Sequence, residues 1–353
     1  MAYDLVHRNM PTTLPSLRTV QREVHNEYQT ISEGYFQFDG LDKYLTQHGI
    51  SHKVVSISED ATRIITRIDY DSESDRLVGF VLPCNDQGLP LVDSFLATTF
   101  ESIQEMFEMN QRSKYAYVYM AQCLSNKIPP YCLACLGTDN CFSAPDVLNR
   151  WRYIYTECNK RNISIVSFGS DGDSRNLKAM KISCQFNLAC GNDKSLFTSS
   201  PSILADEMLY PEDWTWFWIK NPTTIAYIQD TVHIAVKMKL RLLKPSTVLS
   251  LGKFTTGLHH LQILVESFPK EQHGIRHKDT DCKDKQNYEA VLRISRPTAL
   301  KILKQLPDGR GTLQYLYVLR SFIDGFLDRQ LSVNARVYKV WYTVFSLLLA
   351  MMD

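Results

Sequence analysis

Ile165 to Met180 reads IVSFGSDGDSRNLKAM, an apolar, β-branched run that ends in a cluster of glycines and acids and resumes with helix-forming residues. That change of pattern predicts a strand, a turn and the start of a helix. Just upstream, Ala144 to Asn162 has helical spacing, with Ser143 placed as N-cap and Pro145 in the first turn. Earlier still, VVSIS (54–58), ATRIITRIDY (61–70), DRLVGFVLP (75–83) and YAYVYMAQCL (115–124) are β-branched or aromatic runs separated by polar turns. They read as the opening of an antiparallel sheet. Downstream, TTIAYIQD (223–230) is a further strand and VHIAVKMKLRLL (232–243) a helix. A sheet that begins antiparallel and continues through strand-helix-strand crossovers belongs to the α/β class.

The flanks are helical. LPSLRTVQREVHNEYQTI (14–31) and LDKYLTQHG (41–49), with Gly49 as a stop, form a helical preface. After the cluster of Pro245, Gly252 and Gly257, four helices are expected in LHHLQILVESF, NYEAVLRISRPTALKIL, GTLQYLYVLRSFIDGFLD and ARVYKVWYTVF. The resulting division is a preface at 1–52, a mixed-sheet core at 53–245, a helical region at 246–310 and C-terminal helices at 311–353. The apolar run Val340 to Met352 falls short of the ~20 residues that cross a bilayer. It reads as a buried helix that stops mid-packing, so a truncated gene product is expected.

The chain has 353 residues, 44% of them hydrophobic, a formal net charge of +1 and nine cysteines. This is an ordinary globular composition with no signal-peptide pattern, which predicts a reduced protein of the nucleus or cytoplasm rather than a secreted one. Near-neutral charge leaves only local basic patches for nucleic acid.

Three acids fall at strand ends: Asp60, Asp171 and Asp230. Ligands of α/β sheets bind at strand ends, and carboxylates are hard-oxygen ligands for Mg²⁺ or Mn²⁺. Converging aspartates would suit phosphodiester chemistry. Turn formation explains the same residues without any chemistry, and Asp230 is also a good N-cap. In the helix after Asp230, His233, Lys237, Arg241 and Lys244 are four, four and three residues apart, which sets them on one face that could follow a phosphate backbone or simply meet solvent. Other groups carry less. Cys123, Cys132, Cys135 and Cys141 include one C-x-x-C, and His273, His277 and Cys282 make a partial metal set. Trp214, Trp216 and Trp218 alternate as in an extended segment. The glycines of GSDGD lack the lysine of a Walker loop.

Together, SFGSDGDSRNLKAM and the downstream Asp230-x-x-His233-x-x-x-Lys237-x-x-x-Arg241 helix resemble the P-element and THAP-type DNA transposases, whose core carries an SDG…N strand end and a DPxH…K…RN helix. SEDATRIITRIDYDSESDRLVGF is similar to that family's first hairpin. NYEAVLRISRPTALKIL is similar to its helical insertion, and GTLQYLYVLRSFIDGFLD to the segment that returns to the core. The resemblance implies an RNase H-like mixed sheet with a helical preface and a largely helical C-terminal insertion region. It also implies metal-dependent DNA cleavage and strand transfer as the ancestral activity. It makes Asp60 and Asp171 the first two metal-binding catalytic acids, places Asp230 at the entrance to the insertion, and makes DNA the partner of the His233, Lys237, Arg241, Lys244 stripe.

The chain departs from the family in three ways. The third acid, a glutamate in the family, has no match: Glu289 lies in the insertion-like helix, while Asp324 and Asp328 lie in the right region but are aspartates. Asp324 stands as the candidate. Residues 1 to 50 contain no cysteine for a zinc DNA-binding module, and no nucleotide loop lies between Leu258 and Asp308, so GTP is not supported. The cofactor expected is Mg²⁺ or Mn²⁺. The partners expected are DNA and further copies of the chain as a homo-oligomer, with no membrane. Two further readings stand beside an active transposase: a degenerate, domesticated module that binds DNA or protein, and an unrelated α/β enzyme in which Asp60 and Asp171 are not neighbours.

Overall fold

A computed structural model describes residues 31–125, 128–189, 225–245, 249–251, 253–284 and 286–352. The chain forms two compact units, one reaching Ile228 and the other beginning at Gln229. The predicted helix at 14–31 and the Trp214, Trp216, Trp218 segment lie outside the described residues, Ile31 apart.

The first unit is built on a five-stranded sheet whose order is β5 (Tyr131–Thr138), β4 (Tyr115–Cys123), β1 (Val54–Arg63), β6 (Ser164–Ser170) and β7 (Ala226–Gln229). β1, β4 and β5 are joined antiparallel, and β6 then lies parallel to β1. The period of two puts Val55, Ile57 and Glu59 on the buried face of β1, opposite Cys123, Ala121 and Tyr119 of β4. The outer edge of β5 is covered by an extended segment, in which Gly34 N–H donates to Cys135 O at 2.8 Å and Gln37 N–H to Leu133 O at 2.8 Å. That pairing blunts an edge which would otherwise accept a foreign strand. The Glu33 carboxylate extends the cover, accepting the amides of Gly79 at 3.0 Å and Gly137 at 2.9 Å.

α1 (Phe38–Gln47) and α2 (Phe100–Met109) flank a small hairpin of β2 (Asp69–Asp71) and β3 (Arg76–Val78) in the chain order. α3 (Ala144–Lys160) begins where the sequence predicts. Ser143 and Asp146 form a reciprocal capping box, and Pro145 occupies the first turn, where its missing N–H costs nothing. Val147, Trp151, Ile154 and Cys158 make its buried face. Trp151 stacks on Phe168 of β6 and Tyr227 of β7, each at 5.3 Å, which fastens helix to sheet. α4 (Ser174–Ala189) follows β6 after the quoted turn.

The second unit holds α5 (Thr231–Leu243), a hairpin of β8 (Leu249–Leu251) and β9 (Phe254–Thr256), and α6 (Leu258–Ser267), α7 (Lys270–His273), α8 (Tyr288–Ile294), α9 (Pro297–Leu303), α10 (Arg310–Leu327) and α11 (Val333–Met352). Its core gathers Ala235, Val236, Leu242, Leu261, Ile294, Leu303, Leu319 and Phe322.

Four local expectations are corrected. VVSIS and the start of ATRIITRIDY are one continuous strand, β1, because nothing between Ser58 and Arg63 breaks the extended backbone. β5 was not anticipated: both faces of YCLACLGT are largely covered, so it lacks the alternation that marks a one-sided strand. NYEAVLRISRPTALKIL divides into α8 and α9, since Pro297 holds Arg296 extended, with φ −64° and ψ 146°. The C-terminal helix is not buried throughout, for Val333, Val337, Trp341, Phe345 and Leu349 form an exposed stripe at four-residue spacing on α11. No helix among the described residues is long and apolar enough to cross a membrane.

Candidate acidic cleft at the ends of the central strands

The last registered pair between the parallel strands β1 and β6 is Glu59 with Ser170. Asp60 is the next residue on β1, and Asp171 is the first residue past the end of β6. Adjacent strands are about 4.8 Å apart, so the register itself makes these two acids neighbours. Both line one small cleft of about 70 Å³, whose walls also include Glu59, Tyr117, Asn140, Asp173 and Asn176. Asp60 is exposed and Asp171 half-buried.

The quoted turn shares its work between two aspartates. Asp171 Oδ1 accepts the Asp173 amide at 2.8 Å and so closes the turn after β6. Asp173 accepts the Arg175 amide at 2.8 Å on Oδ1. It also takes the Arg175 guanidinium on both oxygens, Nε at 2.8 Å and Nη2 at 2.7 Å. Hydrogen bonding from Arg175 holds the Asp173 carboxyl below the usual carboxylate range against the opposing effect of burial. Arg175 in turn lies 3.9 Å over the Phe142 ring and donates to the Asn140 carbonyl, which ties the turn to the loop after β5. Asp173 is thus a structural anchor.

Behind the cleft stands an acid that the sequence reading passed over. Glu59 is 4% exposed, and its Oε1 accepts Asn176 Nδ2 at 2.7 Å. The same Nδ2 lies 3.3 Å from Tyr117 Oη. Burial pushes the Glu59 carboxyl from 4.5 up to about 8, although Trp151, Arg150, Tyr119 and Tyr117 all favour its charged form. Arg150 is itself buried, donating Nε to Gly88 O at 2.7 Å with its guanidinium over Tyr117 and Phe142. A signal for Glu59 did exist: in Val55, Ile57, Glu59 a carboxyl occupies the apolar phase of a strand.

The remaining candidates sit in the second unit. Asp324, the sequence-based choice for a third acid, is 8% exposed on α10, with Arg320 Nε at 2.7 Å and Lys339 Nζ at 3.2 Å. Two cations already neutralise it. Glu289 is 3.7 Å from Arg293, and Asp328 accepts the Gln330 amide at 2.9 Å. Asp230 caps α5, its Oδ1 accepting the amides of Val232 at 2.8 Å and His233 at 3.3 Å. Along that helix Lys237, Arg241 and Lys244 are exposed and His233 half-buried, while Lys239 is turned inward to the Asp284 carbonyl at 3.1 Å. His273 is buried by its own backbone contacts, with Nδ1 accepting the Ile275 amide at 3.0 Å. Among the described residues no three His, Cys, Asp or Glu side chains form a group that could hold a metal ion, which includes the cysteines of β4 and β5. Those cysteines are free thiols.

The donor chemistry of the cleft nevertheless fits a hard divalent cation. Its lining includes the carboxylates of Asp60 and Asp171 and the amide side chains of Asn140 and Asn176, which offer oxygen atoms of the kind such a cation takes. Asn176 adds an observation of its own, because its Oδ1 is buried and lacks a hydrogen-bond partner.

No family model and no curated protein match the sequence. Among solved structures the chain is similar to the Drosophila P element transposase strand transfer complex, with a TM-score of 0.57 and 13% identity over 94% of this chain and 64% of the other. The chain therefore spans about 64% of the length of that transposase chain. What that likeness shows is the fold: the five-stranded mixed sheet of this chain, with its helices, fits an RNase H-like core.

Proposed function

We propose that this chain is a transposon-derived protein that acts on DNA, with a divalent metal ion held by Asp60 and Asp171 for phosphodiester cleavage and strand transfer. The observation that supports this reading is the placement of Asp60 and Asp171 one residue beyond the registered pair of Glu59 and Ser170, Asp60 on β1 and Asp171 just past the end of the parallel strand β6, both in the wall of one cleft. Mg²⁺ or Mn²⁺ bound there would supply positive charge for the phosphate oxygens and lower the pKa of an attacking water or 3′-hydroxyl.

The protein's own residues have separate tasks. Asp60 and Asp171 provide the negative charge, and the Asp173–Arg175 pair keeps the Asp171 turn in place. The exposed cations Lys237, Arg241 and Lys244, with His233 at the start of the same face, would meet DNA phosphates and position the duplex without reading its sequence.

A second reading is a binding-only descendant that keeps the fold and the DNA contacts without the reaction. It draws support from Asp324, whose charge is already matched by Arg320 and Lys339. The separating experiment measures Mn²⁺-dependent nicking of supercoiled DNA by the wild type and by Asp171→Asn, with DNA binding followed in parallel. Nicking by the wild type that falls at least about a hundredfold in the variant is expected for a metal-binding acid. Equal nicking by both removes Asp171 from the mechanism. Binding without nicking by either protein selects the second reading.

A further inference from the structure

The cleft contains more oxygen donors than its aspartates, and the amide oxygens of Asn140 and Asn176 are among those buried without a hydrogen-bond partner, as is Glu59 Oε2. Asn176 is 2% exposed, and its carboxamide nitrogen is committed to Glu59 and Tyr117. Its Oδ1, at the other edge of the same amide, is buried with no hydrogen-bond partner. Across the wall, Asn140 Oδ1 is buried and unpartnered as well. The Asn140 backbone is fixed by a left-handed φ of 66°, by its N–H to Thr138 Oγ1 at 2.9 Å and by the Arg175 guanidinium at its carbonyl. A buried amide oxygen left without a donor forgoes the hydrogen bond that water would supply. Two beside a pair of carboxylates form an arrangement that a cation relieves directly.

Resting on the reading of this cleft as a metal site, we propose that it binds a divalent, oxygen-preferring cation, with the amide oxygens of Asn140 and Asn176 as ligands alongside Asp171 in the place of a third carboxylate. An all-oxygen donor set favours Mg²⁺, Mn²⁺ or Ca²⁺ over the nitrogen- and sulfur-seeking Zn²⁺. Glu59 acts in this scheme as a positioning residue, since its hold on Asn176 Nδ2 turns the amide oxygen away from the carboxyl. The two carboxylate oxygens of Asp173 are not available because Arg175 occupies both.

The test is a Mn²⁺ titration of the full chain followed by the free-ion electron paramagnetic resonance signal, with metal-linked thermal shift as a second readout. The wild type, Asp171→Asn, Asn140→Gly and Asn176→Ala are compared. Glycine accepts the left-handed φ at 140 without strain, so that variant remains informative even where Asn176→Ala loses its fold. The expected result is Mn²⁺ binding by the wild type and affinity weakened about tenfold or more in each variant, with metal-free melting of Asn140→Gly close to wild type. Unchanged affinity in Asn140→Gly beside a loss in Asp171→Asn would overturn the amide ligands and leave the proposed function standing. A wild type that binds no Mn²⁺ at millimolar concentration would overturn both, and would assign the two amide oxygens to buried water.

Discussion

Each unit of this protein buries an acid, and the two acids are treated in opposite ways. In the second unit Asp279 is fully buried, yet Arg293 grips both its oxygens, Nε at 2.7 Å and Nη2 at 2.8 Å, and the Arg276 amide adds a third contact at 2.8 Å. Burial raises the carboxyl of Asp279, but the Arg293 hydrogen bonds outweigh it and the group ends below its ordinary value. In the first unit Glu59 has tyrosines, an indole and an amide around it, with Arg150 committed to a backbone carbonyl, and its carboxyl rises to about 8. The lesson is one of completeness: a closed ion pair finishes a core, whereas a half-satisfied carboxyl beside a cleft leaves oxygen valence for something else.

The comparison breaks most visibly at Arg293. Arg293→Met leaves Asp279 buried and charged, and chemical unfolding should show a loss of about 3–5 kcal/mol. A change below about 1 kcal/mol would mean that the pair behaves like an exposed salt bridge and that the contrast with Glu59 is false. The next effect has the opposite sign. Glu59 carries a folded-state pKa of about 8 against an ordinary 4.5, so its contribution to stability is fully present below pH 4.5 and is lost as pH rises through 8. Glu59→Gln, measured without metal, should therefore leave stability at pH 4 unchanged and raise it at pH 7 by about 3 kcal/mol, at ~1.4 kcal/mol per pH unit. A variant less stable at pH 7 than at pH 4 relative to wild type would show that the charged form is the favoured one. The smallest effect concerns Asp230, an acid explained by the backbone alone: Asp230→Ala should cost about 1 kcal/mol in thermal melts while Asp230→Ser costs little. Equal losses in both would point to a charge role beyond capping.

Much of the architecture was legible because its signals are local. The strand, turn and helix of 165–180, the capping box at Ser143 and the cationic stripe after Asp230 each depend on residues within one or two turns of the chain. β5 was not legible, since its cysteines and small residues are covered on both faces and its pattern is that of a motif rather than of a strand. At the cleft, Asp60 and Asp171 could be named as strand-end acids. Their neighbouring register, and the part played by Asn140 and Asn176, depend on β1 lying beside β6 and on a loop after β5, which no local pattern encodes. The same holds for Asp324, whose partner Lys339 comes from the following helix.

The pairing of β1 with β6 also fixes an order of events during synthesis. Ser56 and Ser167, whose hydroxyls lie 2.6 Å apart across these strands, are separated by 111 positions. A ribosome adding about 5–20 residues per second needs on the order of ten seconds to deliver that partner. Until then the central strand has β4 on one side and an open edge on the other, with its row of backbone amides and carbonyls unpaired. The two acids of the cleft first meet when that edge closes.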